Sequence, residues 1–277
     1  MNRFLSFRPA FRNRKLLSGI ILLLFLLFVA LAGPSLCGNP PDYLHDDMLH
    51  APSPQYPFGT DGVGYDVFTM VVYGTRTSLK VGVVVALLSS VIGVAVGGIS
   101  GYLGGAVDKI ICEFLNVSMM IPTFFLIVLA ISIYGSSIDH MILIMALTNW
   151  PGSARLMRGQ AIAIREKSYI KNAEVLGESK AKIILTHIIP NCIFTVIVNL
   201  TMTVSAAILS EAGLSFLGLG DPNVVSWGKI ISSGRRYLPN CWWICAFPGF
   251  AIILTSLSFH LIGDGINMAI NAKAGEL

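Results

Sequence analysis

Long apolar stretches separated by polar segments dominate this chain, and each is close to the length that a helix needs to cross a bilayer. They are too long and too continuous for the strands of a membrane barrel, which alternate in polarity and run for about ten residues. A helix also satisfies its own backbone hydrogen bonds, as a lipid environment requires. The pattern therefore predicts an all-α membrane protein with about six transmembrane helices. The predicted spans are residues 16–32, 77–102, 110–134, 138–157, 188–209 and 245–268.

The charged positions give the orientation of these spans. Only 12% of the 277 residues are charged and 54% are hydrophobic, whereas a soluble domain carries about a quarter charged residues. The net charge of +4 does not indicate nucleic acid, because the basic residues sort by membrane side. By the positive-inside rule both termini are cytoplasmic, in a multi-pass protein of the cytoplasmic membrane. The predicted inner segments hold Arg3, Arg8, Arg12, Arg14, Lys15, Lys109, Arg155, Arg158, Arg165, Lys167, Lys171, Lys180, Lys182 and Lys273, and the outer segments hold Arg76, Lys229, Arg235 and Arg236.

The same pattern divides the chain into four parts. Residues 1–36 form a basic tail and the first helix, and residues 37–76 form an extracytoplasmic loop rich in Pro, Gly and Asp. Residues 77–268 form a five-helix core with a cytoplasmic loop at 158–187, and residues 269–277 form a cytoplasmic tail. The first run also has the features of a cleaved signal peptide, but it is longer than a usual signal core, so a retained helix is predicted. Pro122 predicts a kink in the third span.

The charged loop between the fourth and fifth spans predicts two short helices. Tyr169, Ala173 and Leu176 recur at helical spacing, and Gly177 follows them in a position that suits a left-handed turn. A second short helix then leads to Pro190. One alternative is an interfacial helix that lies on the membrane. The other is a protruding segment that a cytoplasmic partner binds.

The spacing of Ala173, Gly177 and Pro190 resembles the loop that permeases of ATP-binding-cassette (ABC) importers insert into their ATPase subunits. The family pattern has Glu-Ala before the alanine, where this chain has Lys171 and Asn172. Glu174 is the candidate to replace the missing acidic contact. The resemblance implies that an ATPase-coupling site is formed by Tyr169, Lys171, Asn172, Ala173, Glu174, Leu176, Gly177 and Pro190.

Three further stretches resemble the dipeptide, oligopeptide and nickel permeases, and specifically the second of their two permease subunits. They are Phe58–Leu79, Ser210–Gly228, and Phe247–Gly265 in the last span. This chain has Tyr65 where the family commonly has Arg. The motif residues singled out are Gly59, Asp61, Asp66, Glu211, Trp227, Gly228 and Asp264.

Each motif also has a structural explanation. Gly59 and Asp61 are residues that favour turns. Glu211 either pairs with a companion chain or caps a helix in the following loop. Asp264 is one turn from His260 and suits a structural hydrogen bond as well as a functional role.

Polar residues within the spans are candidates for a translocation path. They are Asn149, Asn199, Thr203 and His260. Hydrogen bonding between helices explains them equally well. His45 and His50 in the outer loop also suggest a metal site, but a solvated loop is favoured. A disulfide among Cys37, Cys241 and Cys245 is left open.

The resemblance implies a permease subunit of an ABC importer that moves peptides by alternating access. A nickel or metal-chelate importer is the alternative, and a membrane-embedded enzyme is the less favoured class. The chain has no GxxxxGK[ST] loop, so we expect it to bind no cofactor itself, with ATP and magnesium bound by partners. The implied partners are a companion permease, two ATPase subunits or domains, an extracytoplasmic solute-binding protein and membrane lipid. No catalytic or metal-ligating residue and no nucleic acid are expected.

Overall fold

The structure is a computed structural model that describes residues 13–274, and this part of the chain is almost entirely helical. The basic residues Arg3, Arg8 and Arg12 of the predicted inner tail lie outside it, as do residues 275–277. The α-helices are α1 (Arg14–Leu36), α2 (Val67–Leu103), α3 (Gly105–Met120), α4 (Thr123–Tyr134), α5 (Ile138–Arg165), α6 (Ser168–Val175), α7 (Lys180–Ile183), α8 (Ile189–Phe216), α9 (Trp227–Gly234) and α10 (Trp243–Ala274). A π-helical turn (Ile184–Ile188) precedes α8, and a 3₁₀ turn (Arg235–Tyr237) follows α9.

Four helices in the described residues are long and apolar enough to cross a membrane: α1, α2, α10 and the continuous stretch Lys180–Phe216. The bent pair α3–α4 supplies a fifth span if it crosses as one unit. Helix α5 is too polar to qualify by composition, but it packs along α2 and buries Met141, Met145 and Met157. A helix surrounded by protein needs fewer apolar residues than one surrounded by lipid. The count of six spans stays a prediction.

The predicted kink at Pro122 is a complete break. Ile121 and Pro122 are extended, and the axes of α3 and α4 differ by 78°. Proline has no backbone N–H and disfavours helical geometry in the residue before it, which favours a break here. Other prolines, at Pro34, Pro151 and Pro248, are accommodated inside helices. The stretch predicted as one kinked span is therefore two helices joined at an elbow.

Helix α2 begins at Val67 rather than at the predicted Thr77. Asp66 is its N-cap, because its carboxylate accepts hydrogen bonds from the backbone N–H groups of Phe68 (3.3 Å) and Thr69 (3.0 Å). The extra turns carry Arg76, whose guanidinium donates to the carbonyl of Leu31 near the end of α1 at 2.9 Å. The segment predicted as an extracytoplasmic loop is thus helical from Val67 onward.

The stretch 210–244, predicted as a polar and aromatic loop, contains more helix than expected. Helix α8 continues to Phe216, α9 occupies Trp227–Gly234, and α10 begins at Trp243. Helix α9 packs against α8 and α10. Its eight residues bury Trp227 and Ile230, so the short helix is held by tertiary packing rather than by its own length.

Candidate functional site

The segment from Ser168 to Ile188, which we call the coupling segment, comprises α6, the turn at Gly177, α7 and the π turn. Gly177 has a φ of 80°, the left-handed geometry that the sequence predicts. Its N–H donates to the carbonyl of Glu174 (3.0 Å), and the N–H of Glu178 donates to that of Ala173 (3.1 Å). This pair of bonds is a Schellman motif, which ends α6 and turns the chain sharply toward α7.

The second half of the coupling segment runs to Pro190 as predicted, but through a π turn that the sequence did not indicate. The N–H of Ile189 bonds to the carbonyl of Ile184, five residues earlier. Pro190 has no N–H to give to the carbonyl of Thr186, its partner in an α-helix. The wider turn therefore lies where the α-helical ladder is interrupted, between α7 and α8.

One face of the coupling segment is packed into the protein. Ile170, Ala173, Ile183 and Ile188 are buried in a cluster with Met157 of α5. The tip points the other way: Val175 and Leu176 are 87% and 83% exposed. Lys171 and Asn172, which replace the family's Glu-Ala, are exposed as well, and Tyr169 is half-exposed with a pKa raised by burial. The sequence analysis missed Val175, although its position beside Leu176 ahead of a turn was a usable signal.

The polar side of the coupling segment faces the C-terminal ends of α2 and α5. The hydroxyl of Tyr102 donates to Oε1 of Glu174 at 2.8 Å. Lys171 forms an ion pair with Glu166 at 3.0 Å, and this hydrogen bond lowers the pKa of the Glu166 carboxyl. A cavity of about 270 Å³ lies among these groups, lined by Tyr102, Leu103, Arg165, Glu166, Lys171, Glu174 and Lys180. Glu174, the candidate for an outward acidic contact, is instead bonded inward.

The turn after α6 is connected to the π turn by Glu178. Its carboxylate lies 3.1 Å from the ammonium of Lys182 and 3.0 Å from Nε2 of His187. These hydrogen bonds, that of Lys182 first, hold the pKa of Glu178 below its usual value. The two ends of the second half of the segment are thereby joined.

On the predicted outer side, three of the motif residues meet at the start of α9. Glu211 is buried, and its Oε1 accepts hydrogen bonds from Ser215 and Ser226, each at 2.7 Å. The indole N–H of Trp227 donates to the carbonyl of Val71 in α2 at 3.0 Å. A Cβ on Gly228 would lie 2.5 Å from Cα of Ala212, so this glycine lets α9 approach α8 closely. We call this joining of α2, α8 and α9 the outer joint.

The earlier motif residues build the outer loop, as the turn explanation proposed. Oδ1 of Asp61 accepts backbone N–H bonds from Val63 (2.9 Å), Gly64 (3.0 Å) and Tyr65 (2.9 Å). Gly59 has a φ of 74° and is pressed against Trp243. With Asp66 as the N-cap of α2, these residues shape the chain between α1 and α2.

The candidates for a translocation path are bonded within the chain. The amide of Asn199 in α8 donates to Oγ of Ser153 in α5 at 3.0 Å, and Nδ1 of His260 lies 3.3 Å from Oγ of Ser205. Asn149 and Thr203 bond to carbonyls of their own helices. The contacts of Asn199 and His260 agree with hydrogen bonding between helices, whereas those of Asn149 and Thr203 do not, and a role in a pathway stays a prediction.

Other candidates resolve into structural contacts. Asp264 pairs with Lys15 of α1 at 3.3 Å, which joins α10 to α1 near their inner ends. His45 and His50 pack against the ring of Tyr56. Within residues 13–274 there is no cluster of three or more His, Cys, Asp or Glu that suits a metal ion. The cysteines Cys37, Cys241 and Cys245 are all free thiols.

Comparison with known proteins places this geometry in one family. Residues 93–275 match the family described as binding-protein-dependent transport system inner membrane component. The dipeptide transport system permease protein DppC of Bacillus subtilis is 36% identical over 97% of this chain and 85% of the relative. The probable D,D-dipeptide transport system permease protein DdpC of Escherichia coli is 37% identical over 93% of this chain and 87% of the relative.

Two more proteins show how widely the likeness extends. The oligopeptide transport system permease protein OppC of Bacillus subtilis is 33% identical over 95% of this chain and 87% of the relative. A chain of the inward-facing MetNI methionine ABC transporter has the same fold, with a TM-score of 0.56 and 16% identity over 71% of this chain and 96% of the other. The chain therefore belongs to the family of inner membrane components of binding-protein-dependent transport systems.

Proposed function

We propose that this protein is one permease subunit of an ATP-driven importer of peptides. The observation that carries the proposal is the coupling segment, which has a buried base and an exposed apolar tip at Val175 and Leu176. Apolar side chains so fully exposed in water mark a surface that a protein partner covers. The relatives named for peptide transport give the substrate class, and they favour peptides over nickel.

An interfacial helix on the membrane fits the coupling segment less well. Such a helix gives its apolar face to lipid. Here the apolar face of α6, with Ile170 and Ala173, is already packed into the protein. The residues left outside are the polar Lys171 and Asn172 and the apolar tip, which together suit a cleft in a protein partner.

In this mechanism the chain supplies half of a pathway, and a companion permease supplies the other half. Both termini lie in the cytoplasm, where two ATPase subunits or domains hold ATP and magnesium and enclose one coupling segment each. ATP binding draws the ATPases together and displaces the segment. The movement opens the pathway alternately to each side of the membrane, and a solute-binding protein delivers peptides from outside. This chain itself performs no hydrolysis.

The test is recovery of the partners from native membranes with an affinity-tagged chain. Mass spectrometry should identify a captured subunit that contains the GxxxxGK[ST] phosphate-binding loop. Leu176→Asp should lower that capture by about tenfold, because a charge then enters an apolar contact. Leu238→Asp is the matched control, since Leu238 is exposed beyond α9 on the predicted outer side. Capture of a stable complex without any such ATPase overturns the proposal, and so does equal capture by Leu176→Asp.

A further inference from the structure

The side chain of Tyr102, at the end of α2, makes a hydrogen bond to α6 of the coupling segment, while Ile184 of the π turn packs near Gly98 of the same helix. The ring of Tyr102 is buried beside Ala173 and Ile170, and its hydroxyl donates to the Glu174 carboxylate at 2.8 Å. A hydrogen bond to a carboxylate is roughly twice as strong as one between neutral groups. Arg165 of α5 donates to the backbone carbonyl of Tyr102 at 3.3 Å, which places the residue relative to α5.

On the polar side of α6, next to this bond, the structure has a cavity rather than packed side chains. The cavity of about 270 Å³ lies beneath Glu174 and Lys171, between them and the ends of α2 and α5. The apolar face of α6 is packed in the core, so the cavity leaves space for displacement of α6 on its polar side only. The Tyr102–Glu174 bond crosses from α2 to α6 at the edge of that space, so it is placed to transmit such a displacement.

The far end of α2 is attached to the outer joint. The indole N–H of Trp227 bonds to Val71, and its backbone N–H bonds to Oγ of Ser78 at 3.3 Å. Helix α2 continues without interruption or internal proline from these contacts to Tyr102. At about 1.5 Å per residue the distance from Val71 to Tyr102 is roughly 45 Å, which exceeds the apolar thickness of a bilayer.

We infer that Tyr102 is a positioning residue for coupling: its hydroxyl ties the coupling segment to α2, which passes the segment's displacement to α9 on the outer side. Helix α2 is thereby a route of transmission in addition to α5 and α8, the helices that flank the coupling segment in the chain. The inference rests on the proposed function, since the displacement comes from the ATPases. Its consequence is that loss of this one hydroxyl weakens the response of the outer joint to the nucleotide state.

The experiment uses the complete importer, reconstituted in proteoliposomes with its partners. Tyr102→Phe removes only the hydroxyl, and Glu174→Ala removes the acceptor. Each should raise the number of ATP molecules hydrolysed per peptide imported by about tenfold, as expected for loss of a hydrogen bond to a charged group. Glu174→Gln keeps a carbonyl acceptor but removes its charge, so its ratio should lie between those of wild type and Glu174→Ala. The double variant Tyr102→Phe with Glu174→Ala should be no worse than either single variant.

Tyr134→Phe is the matched control, because Tyr134 is exposed at the end of α4 and loses the same atom. A merely structural role for Tyr102 would lower hydrolysis and import together, through loss of folded protein, and would leave their ratio unchanged. A wild-type complex that does not couple ATP hydrolysis to import overturns the proposed function. If the wild-type complex couples hydrolysis to import, and Tyr102→Phe hydrolyses the same number of ATP molecules per peptide imported, only the inference about Tyr102 is overturned.

A second measurement follows the outer side directly. The thiol of Cys245 in α10 lies 3.6 Å from the carbonyl of Ile231 in α9. The accessibility of this thiol therefore depends on how closely α9 packs against α10. Peptide-resolved mass spectrometry gives its alkylation rate with and without trapped ATP. We expect a change of about fivefold in wild type, the lower limit of typical coupling between sites, and a smaller change in Tyr102→Phe. An equal nucleotide response in both proteins overturns the inference.

Discussion

The hydroxyl of Ser226 lies 2.7 Å from Oε1 of Glu211, where the two residues are only 3% and 1% exposed. Ser226 is also the N-cap of α9, since its Oγ accepts the N–H of Lys229 at 3.3 Å. A carboxyl group of α8 therefore orients the side chain that begins α9. Of the two roles open to Glu211 from sequence, the structure favours support of a helix in the following loop.

Removing the Glu211 carboxyl should loosen α9. Glu211→Ala leaves the hydroxyls of Ser226 and Ser215 without their acceptor and should reduce the free energy of unfolding by about 1–3 kcal/mol. Glu211→Gln retains a carbonyl acceptor and should lose less. Thermal unfolding in detergent measures the first effect, and faster tryptic cleavage after Lys229 measures the release of α9. Ser132→Ala, whose hydroxyl bonds only to the carbonyl of Val128 in its own helix, is the control. Equal melting temperatures for Glu211→Ala and Ser132→Ala would contradict the assignment.

Backbone geometry, not space, should limit substitution of Gly177. A Cβ there meets nothing within 4 Å, but the φ of 80° penalises side chains. Gly177→Val should cost about 1–2 kcal/mol in the turn and uncouple ATP hydrolysis from uptake while leaving membrane insertion intact. Gly177→Asn is the matched variant, since asparagine tolerates the left-handed region, and it should retain most uptake. Peptide uptake and ATP hydrolysis should be measured on the same preparation. Normal uptake by Gly177→Val would show that this turn has no role in coupling.

Asp108 and Arg158 form the ion pair that we expect to matter most for stability on the inner side. The guanidinium makes two bonds to the carboxylate, at 2.6 and 2.7 Å, and both side chains are largely buried. A double-mutant cycle with Asp108→Asn and Arg158→Gln should give a coupling energy of about 1–3 kcal/mol. Thermal or chemical unfolding in detergent provides the four free energies.

The exposed pair of Lys80 and Asp139, at 2.9 Å, is the comparison for that cycle. Its side chains are 53% and 77% exposed, so solvent screens the attraction and the same cycle should give about 0.5 kcal/mol or less. Indistinguishable coupling energies for the two pairs would show that burial contributes nothing to the Asp108–Arg158 interaction.

Local chemistry accounts for what the sequence predicted well. The turn at Gly177 depends on a residue without a side chain, and the bend at Pro122 depends on a residue without a backbone N–H. Both features can therefore be predicted from the sequence alone. The long apolar runs predict helices for the same reason. Helix α9 was missed because its eight residues gain their order from Trp227 and Glu211, which meet partners elsewhere in the fold.

The polar contacts of the inner side could not be predicted from local patterns. Tyr102 and Glu174 are 72 residues apart, and Asp108 and Arg158 are 50 apart. Which residues meet depends on the rotation of each helix about its axis and on how closely the helices approach. Gly93 allows such an approach, because a Cβ there would lie 2.5 Å from Cβ of Ser153 in α5. Arg158 was therefore visible only as a charge that indicates orientation.

The pairing of Glu178 predicts an acid-sensitive connection between the turn at Gly177 and the π turn. Its pKa is lowered by hydrogen bonds from Lys182 and then from His187, so the folded state holds the proton less tightly than the unfolded state. The stabilisation is therefore complete above the usual value of 4.5 and is lost as the pH falls through the lower folded value. Glu178→Gln should melt below wild type at neutral pH, and the difference should vanish once the pH falls below the lowered pKa of Glu178. Glu113→Gln on the exposed face of α3 should show no such convergence. The check is the unfolding temperature of both proteins in detergent, measured from neutral to acid pH. If the difference between Glu178→Gln and wild type stays constant as the pH falls, the charged form of Glu178 does not join the two turns.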